Sequence, residues 1–234
     1  SAGYAAALLE VAQARGAPRG ALLEAAGLAP DALEERDARV PFDAFVRLMR
    51  EGKRLARDPA LALRFGADVA FDDFSIVAMI CRGAPTMGEA FARMNRFGRL
   101  VVEVAGVAPR EDRFELLERD GGLWIEDRRI EPNRFPELTE STLTRFYWGI
   151  ERIRPGASPY LRMQVTHAAP AHVAAYAELL PGVPVQFGAA RNAMQIDPSF
   201  LAVPLPASDG YLFSILNRHA DTLLEELARR ASLA

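Results

Sequence analysis

The 234-residue chain carries one cysteine, Cys81, and only three histidines. One cysteine excludes a disulfide framework and any zinc site built from several thiolates, and it suits a reducing cytoplasm. His167 and His172 stand five apart with Pro170 between them, which is not the spacing that places two imidazoles on one helix face. His167 is therefore read as the end of a strand, and His172 and His219 as solvated surface residues; no metal and no cofactor is expected. The chain also lacks a Gly-x-Ser-x-Gly elbow and any glycine loop shaped to cradle a phosphate. Ser75, Ser141 and Ser214 sit in helical patterns, where serine is ordinary. Charge of one sign is missing too: 28 Lys and Arg face 31 Asp and Glu, giving a formal charge of -3. A nucleic-acid-binding domain would be more basic. Arg47, Arg50 and Arg54, set among acids, read as a solvated helix face. Every apolar run is interrupted within about a dozen residues, too short for a bilayer, so no membrane partner is expected. The N-terminus has neither the basic region nor the cleavage pattern of a signal peptide.

What is present is enough apolar sequence for a core, half of all residues, with a quarter charged. The period of apolar residues predicts helices over about 4–14, from Pro18 to Gly27, over 42–56 and from Asp58 to Gly66. The stretch from Phe74 to Val104 reads as two helices and the start of a strand. Asp72-Asp73 would cap the first helix and Gly83-Pro85 would stop it. Thr86 and Glu89 would form a capping box on the second, whose stripe is Ala90, Phe91, Met94 and Phe97. Beyond Gly98 the pattern turns β-rich. Leu100–Val104 and Arg113–Leu117 read as strands, and Arg119-Asp120-Gly121-Gly122 as a hairpin turn. A long helix follows over 137–153. Tyr160–Thr166, Val183–Phe187 and Ala193–Ile196 read as strands, the last two joined by a turn at 188–192. The last helix starts near Tyr211. The expected fold class is α+β: a helical N-terminal subdomain (1–99) packed on a mostly antiparallel sheet with flanking helices (100–207), then a C-terminal helix (208–234).

Paired carboxylates are the remaining chemistry. Glu126-Asp127 beside Arg128-Arg129 reads as a solvated strand end. Glu137 and Glu140 lie in the first turn of a helix, where the dipole favours negative charge. Arg134, Glu140, Arg145 and Trp148 crowd one loop–helix junction. They form either a surface ion-pair cluster or, with Trp124, the polar end of an apolar pocket.

Four stretches resemble the effector-binding, arabinose-binding-like N-terminal domain of AraC/XylS-type bacterial transcription regulators. They are Leu22 to Gly66, the segment APTMGEAFARMNRFGRLV, the segment NRFPELTESTLTRF, and Val165 to Asp209, where PVQFGAARNAMQID followed by PLP is the most specific part. The resemblance implies a small-molecule effector, a homodimer and no catalysis. It also implies that DNA is met only through a C-terminal domain with two helix-turn-helix motifs, which is absent from this chain. The chain stops about where the linker to that domain would begin, so a truncated regulator or a stand-alone sensor is expected. The effector would lie in an apolar cavity between the helical part and the sheet. Candidate lining residues are Phe71, Phe74, Met79, Met94, Phe97, Trp124, Phe146 and Trp148, although large apolar residues such as these are more often ordinary core. Arg134, Glu140, Arg145 and His167 are the candidate polar anchors. The competing readings are a ligand-free structural dimerisation domain and a small enzyme using Glu140 and His167.

Overall fold

The structure is a computed structural model that describes residues 1–70, 75–104, 111–205 and 210–231. It is α+β, as the periodicity predicts. α1 (Ala2–Ala14) is capped by Ser1, whose hydroxyl accepts from the Tyr4 amide. Its alanines let neighbours approach on every side, and Leu8, Leu9 and Ala12 are fully enclosed. α2 (Arg19–Ala26) ends at Gly27, where φ is +68°, a left-handed cap that glycine adopts without a Cβ clash. α3 (Phe42–Leu55) and α4 (Leu61–Asp68) follow. α5 (Ile76–Arg82) is capped by Ser75, whose Oγ accepts from Val77 N at 3.1 Å. The expected caps Asp72 and Asp73 lie outside the described residues. α6 (Met87–Phe97) is capped by Thr86, which accepts from Glu89 N at 3.3 Å.

Residues 101–104 are not a strand, although their β-branched run favours one. A 3₁₀ turn over Gly98–Leu100 precedes them. The Arg39 guanidinium takes the Arg99 and Leu100 carbonyls, and the Ser1 amine takes that of Val101. The first carbonyls a neighbouring strand would need are thus occupied.

Among the described residues the strands form one sheet of order β1-β2-β5-β3-β4. β1 (Phe114–Arg119) and β2 (Gly122–Asp127) make the expected hairpin. Asp120 (φ +52°) and Gly121 (φ +70°) are its two loop residues, both in the left-handed region that matches the twist of a hairpin. β3 (Tyr160–Gln164), β4 (Val185–Gln186) and β5 (Ala193–Ile196) complete the sheet. β4 and β5 are not a hairpin: they flank β3 on opposite sides, β4 parallel to it and β5 antiparallel. The Gly188–Asn192 segment therefore crosses over β3 rather than folding back. α7 (Pro136–Ile153) and α8 (Ala174–Leu179) flank the sheet, and α9 (Gly210–Ala231) packs against α5.

The described residues hold two cores. Leu8, Leu48, Phe65, Ile80 and Phe97 belong to the first, within the helical part. Leu63, Leu143, Tyr147, Met163 and Ile196 belong to the second, between the sheet and α7. α4 serves both, Phe65 on one face and Leu63 on the other. It can do so because Gly66 brings its backbone against α7. A Cβ at Gly66 would overlap the Ser141 carbonyl oxygen and sit 2.9 Å from Thr144 Cβ. Neither neighbour can give way cheaply, so Gly66→Ala is expected to cost about 2 kcal/mol, read as a lowered urea midpoint with an unchanged slope.

Candidate functional site

α6 and α7 present two long faces to one another. On α6, Met87, Ala90, Phe91 and Met94 fall at helical spacing; on α7, Thr142, Arg145, Phe146, Gly149 and Ile150 do the same. Together with α5 (Ala78, Cys81, Arg82), the strand residues Phe114, Ile125 and Tyr160, and Phe200 and Leu201, they enclose a cavity of about 880 Å³. Its floor is one face of the sheet and its opposite wall is helical, so it lies at the joint of the two parts. Phe114 is its aromatic centre. The Phe146 ring meets it edge-on at 5.1 Å and Phe91 lies at 6.5 Å.

The candidate anchors and lining residues divide as follows. Met94, Arg145 and Phe146 line the cavity. Met79 is 44% exposed on α5, and Phe97 is fully buried in the helical core. Trp124 points the other way because Ile125, its neighbour in the strand, faces the cavity. Its fully buried ring is covered by the Arg119 and Arg162 guanidiniums at 4.8 and 4.9 Å, and its N–H donates to the Arg119 carbonyl. Trp148 turns toward α8 and donates to the Leu179 carbonyl at 2.8 Å. Arg134 is 79% exposed and pairs with Glu131. Phe71 and Phe74 lie outside the described residues.

Glu140 and His167 are brought together, but away from the cavity. The Tyr176 hydroxyl donates to Glu140 Oε1 at 3.0 Å and lies 3.2 Å from His167 Nε2; His172 Nε2 is 2.8 Å from the same carboxylate oxygen. His172 is thus not a solvated surface residue: the turn before α8 folds it under α7, and its side chain is 10% exposed. Burial, then the Glu140 charge, push the Tyr176 phenol far above its usual range. Beside this cluster Glu137 pairs with Lys53 at 2.9 Å. A buried acid, a phenol and two imidazoles are a proton-transfer set in kind. None of these side chains lines the cavity, where a substrate would have to meet them.

The 126–129 segment also departs from expectation. Asp127 and Arg129 are each 5% exposed, because α7 covers them and Thr139 accepts from Arg129. Arg113 binds the same carboxylate, Nη2 to Oδ2 at 2.8 Å, and also reaches Thr142 Oγ1 at 3.4 Å. Arg113 lines the cavity. Its place was readable in the hairpin: the two-residue loop pairs Phe114 with Asp127 and so sets Arg113 beside that carboxylate. Cys81 also lines the cavity, and burial pushes its thiol up to about 12, so it is protonated and unreactive at neutral pH. Among the described residues no helix is long and apolar enough to cross a membrane, and no group of three or more His, Cys, Asp and Glu is placed to hold a metal.

An α+β domain that encloses a mostly apolar cavity at the joint of its helical part and its sheet has the form of a small-molecule-binding domain. Residues 16–205 match the family described as the arabinose-binding domain of AraC transcription regulators, N-terminal, and the chain belongs to that family. That family is a ligand-binding domain of regulators rather than a family of enzymes. Among solved structures, the transcriptional regulator CdpR from Pseudomonas aeruginosa shares the fold at 15% identity with a TM-score of 0.58. The match covers 88% of this chain and 62% of that regulator. No curated protein sequence matches this chain.

Burial alone would raise the pKa of Asp127, but Arg113 and Arg129 outweigh it and hold it at about 2, below its ordinary 3.8. A depressed folded-state value contributes stability above the unfolded value and loses it as pH falls through the folded one. The pH-dependent part amounts to about 2 kcal/mol. Asp127→Asn should therefore be less stable than the parent at pH 6, with the gap narrowing between about pH 4 and 2 in urea titrations.

Proposed function

We propose that this chain is the ligand-sensing and dimerising domain of an AraC-type transcription regulator, and that its effector occupies the cavity between α6, α7 and the sheet. The observation that carries this is the cavity itself, about 880 Å³ with the apolar side chains Phe91, Met94, Phe114 and Phe146 around it. That volume lies within the range of small-molecule sites. A ligand-free structural domain would be expected to fill such a space with side chains. The enzyme reading loses support because Glu140 and His167 meet outside the cavity. In this reading α9 forms the homodimer contact, offering Tyr211 and Ile215, which are 76% and 43% exposed. DNA is met by the helix-turn-helix domain that follows this one in the family, and the protein works in the cytoplasm.

Gly149 allows a clean test. It lines the cavity from mid-helix, and a Cβ placed there would meet nothing within 4 Å. Gly149→Ala should stabilise the fold by about 0.5–1 kcal/mol, since glycine is a poor helix former. Gly149→Phe should intrude into the cavity and weaken the saturable fluorescence of the neutral dye N-phenyl-1-naphthylamine, with no loss of melting temperature. An unchanged dye dissociation constant in Gly149→Phe would place the dye outside this cavity and overturn the ligand-site reading. For the dimer, Ile215→Glu should halve the mass measured by sedimentation; an unchanged mass would remove α9 from the contact.

A further inference from the structure

Resting on the ligand-sensing reading, we propose that the cavity takes an anionic amphiphile: a carboxylate on an apolar body, with the anion seated against Arg113 and Thr142. Among the described residues, the charged side chains lining the cavity are arginines 82, 99, 113, 145 and 152 against Glu103 and Glu111. The arginines are not equivalent. Arg145 donates to the Phe65 and Val69 carbonyls and Arg152 to that of Ala67, so both are engaged in closing the C-terminal end of α4. Arg99 pairs with Glu103 at 2.9 Å.

Arg113 is different because its carboxylate is shared. Asp127 Oδ2 lies 2.8 Å from Arg113 and 2.9 Å from Arg129. Two guanidiniums therefore bear on one carboxylate, and all three side chains are largely buried, at 14%, 5% and 5% exposure. Among the described residues the cluster carries one positive charge more than its carboxylate balances, at the cavity wall. In a site of low dielectric such a charge strongly favours an anion beside it. The geometry leaves room for one: among the described residues Arg113 uses Nε and Nη2 for Asp127 and Thr142, and Nη1 makes no hydrogen bond. Thr142 accepts from Arg113, which leaves its own O–H to donate elsewhere. A carboxylate oxygen between Nη1 and the Thr142 hydroxyl would complete both. The cavity beyond this point is walled by Phe91, Phe114, Phe146 and Ile150. They suit a hydrocarbon chain or ring, whereas a sugar requires hydrogen-bonding groups on several sides.

The test is displacement of N-phenyl-1-naphthylamine by decanoate, decanol and decylamine, which share one apolar body and differ in charge. In the wild type decanoate should act at about one-tenth the concentration of decanol, the gain of a charge-assisted hydrogen bond, and decylamine should be the weakest. Arg113→Gln leaves Asp127 paired with Arg129, so no carboxylate is orphaned. It should bring decanoate to the level of decanol, with the circular dichroism spectrum of the variant reporting that the fold is kept. Thr142→Val should move decanoate part of the way. Equal action of decanoate and decanol in the wild type, or a decanoate preference that survives Arg113→Gln, overturns the anionic class and leaves the cavity reading intact. If the dye does not bind the wild type at all, the cavity reading falls and this inference with it.

Discussion

The contact between α4 and α7 is the constraint on which the rest of the structure depends. Gly66 places its backbone against Ser141 and Thr144, closer than any side chain would permit. The two hydroxyls at this seam are satisfied inside their own helix: Ser141 donates to the Leu138 carbonyl and Thr144 to that of Glu140. They therefore present no unmet hydrogen-bonding group to α4. Arg145 and Arg152 then reach across to the last carbonyls of α4, where a cation opposes the negative end of the helix dipole. Arg145 also lies over the Phe65 ring at 4.6 Å. Burial lowers the Arg145 pKa, and the nearby ring and carbonyl oxygens are what make a guanidinium tolerable there. With the two cores joined along one seam, α7 is a rigid wall, and the space between it and α6 stays open rather than collapsing.

Apart from Glu151, charge along α7 follows the order its dipole favours. The carboxylates Glu137 and Glu140 are in the N-terminal part, and Arg145 and Arg152 are further on. The acidic end is nearly self-contained, since Lys53, His172 and Tyr176 bind it, though Glu137 Oε2 and Glu140 Oε2 are buried without a partner. Such a cluster contributes specificity of packing more readily than net stability. The Arg113–Asp127–Arg129 group has the opposite imbalance, one carboxylate too few, and it is the one that borders the cavity. Two buried networks against one helix thus differ in kind: one closes the core, while the other leaves a charge facing open space.

Helix stripes, the capping threonine and the Asp-Gly hairpin loop were legible in the sequence because each is set by interactions within a few residues. Met94 and Phe146 followed from those stripes. Phe97 and Trp124 went to core or to the opposite sheet face because apolar character alone does not say which of two buried environments a face meets. The order of strands β5, β3 and β4 was not legible either. A parallel pair between Met163 and Val185 depends on contacts more than twenty residues apart, and a short apolar run carries no record of its partner. His172 and Asp127 looked solvated because charged residues usually are; only the tertiary cover supplied by α7 places them inside.

The same geometry limits how a bound molecule can be felt elsewhere. α6 has two working faces. Met94 is on the cavity side. On the other, Arg93 lies 4.3 Å over the Phe213 ring of α9 and donates to the Ile80 carbonyl of α5, while Arg96 pairs with Asp221 at 2.8 Å. The Arg96 pair is solvent-exposed and contributes at most about 1 kcal/mol. The stronger link is the partly buried one, Arg93 on Phe213, with Phe213, Leu216 and Leu224 packed against the helical core. A ligand shifts α9 only by the difference in its contacts between two arrangements of α5 and α6, the two cavity helices that reach α9. One that touched α7 and the sheet alone would bind tightly and signal nothing. One whose anion is held at Arg113, across the cavity floor, and whose apolar body presses on Phe91 and Met94 would couple the fixed wall to a helix that reaches α9.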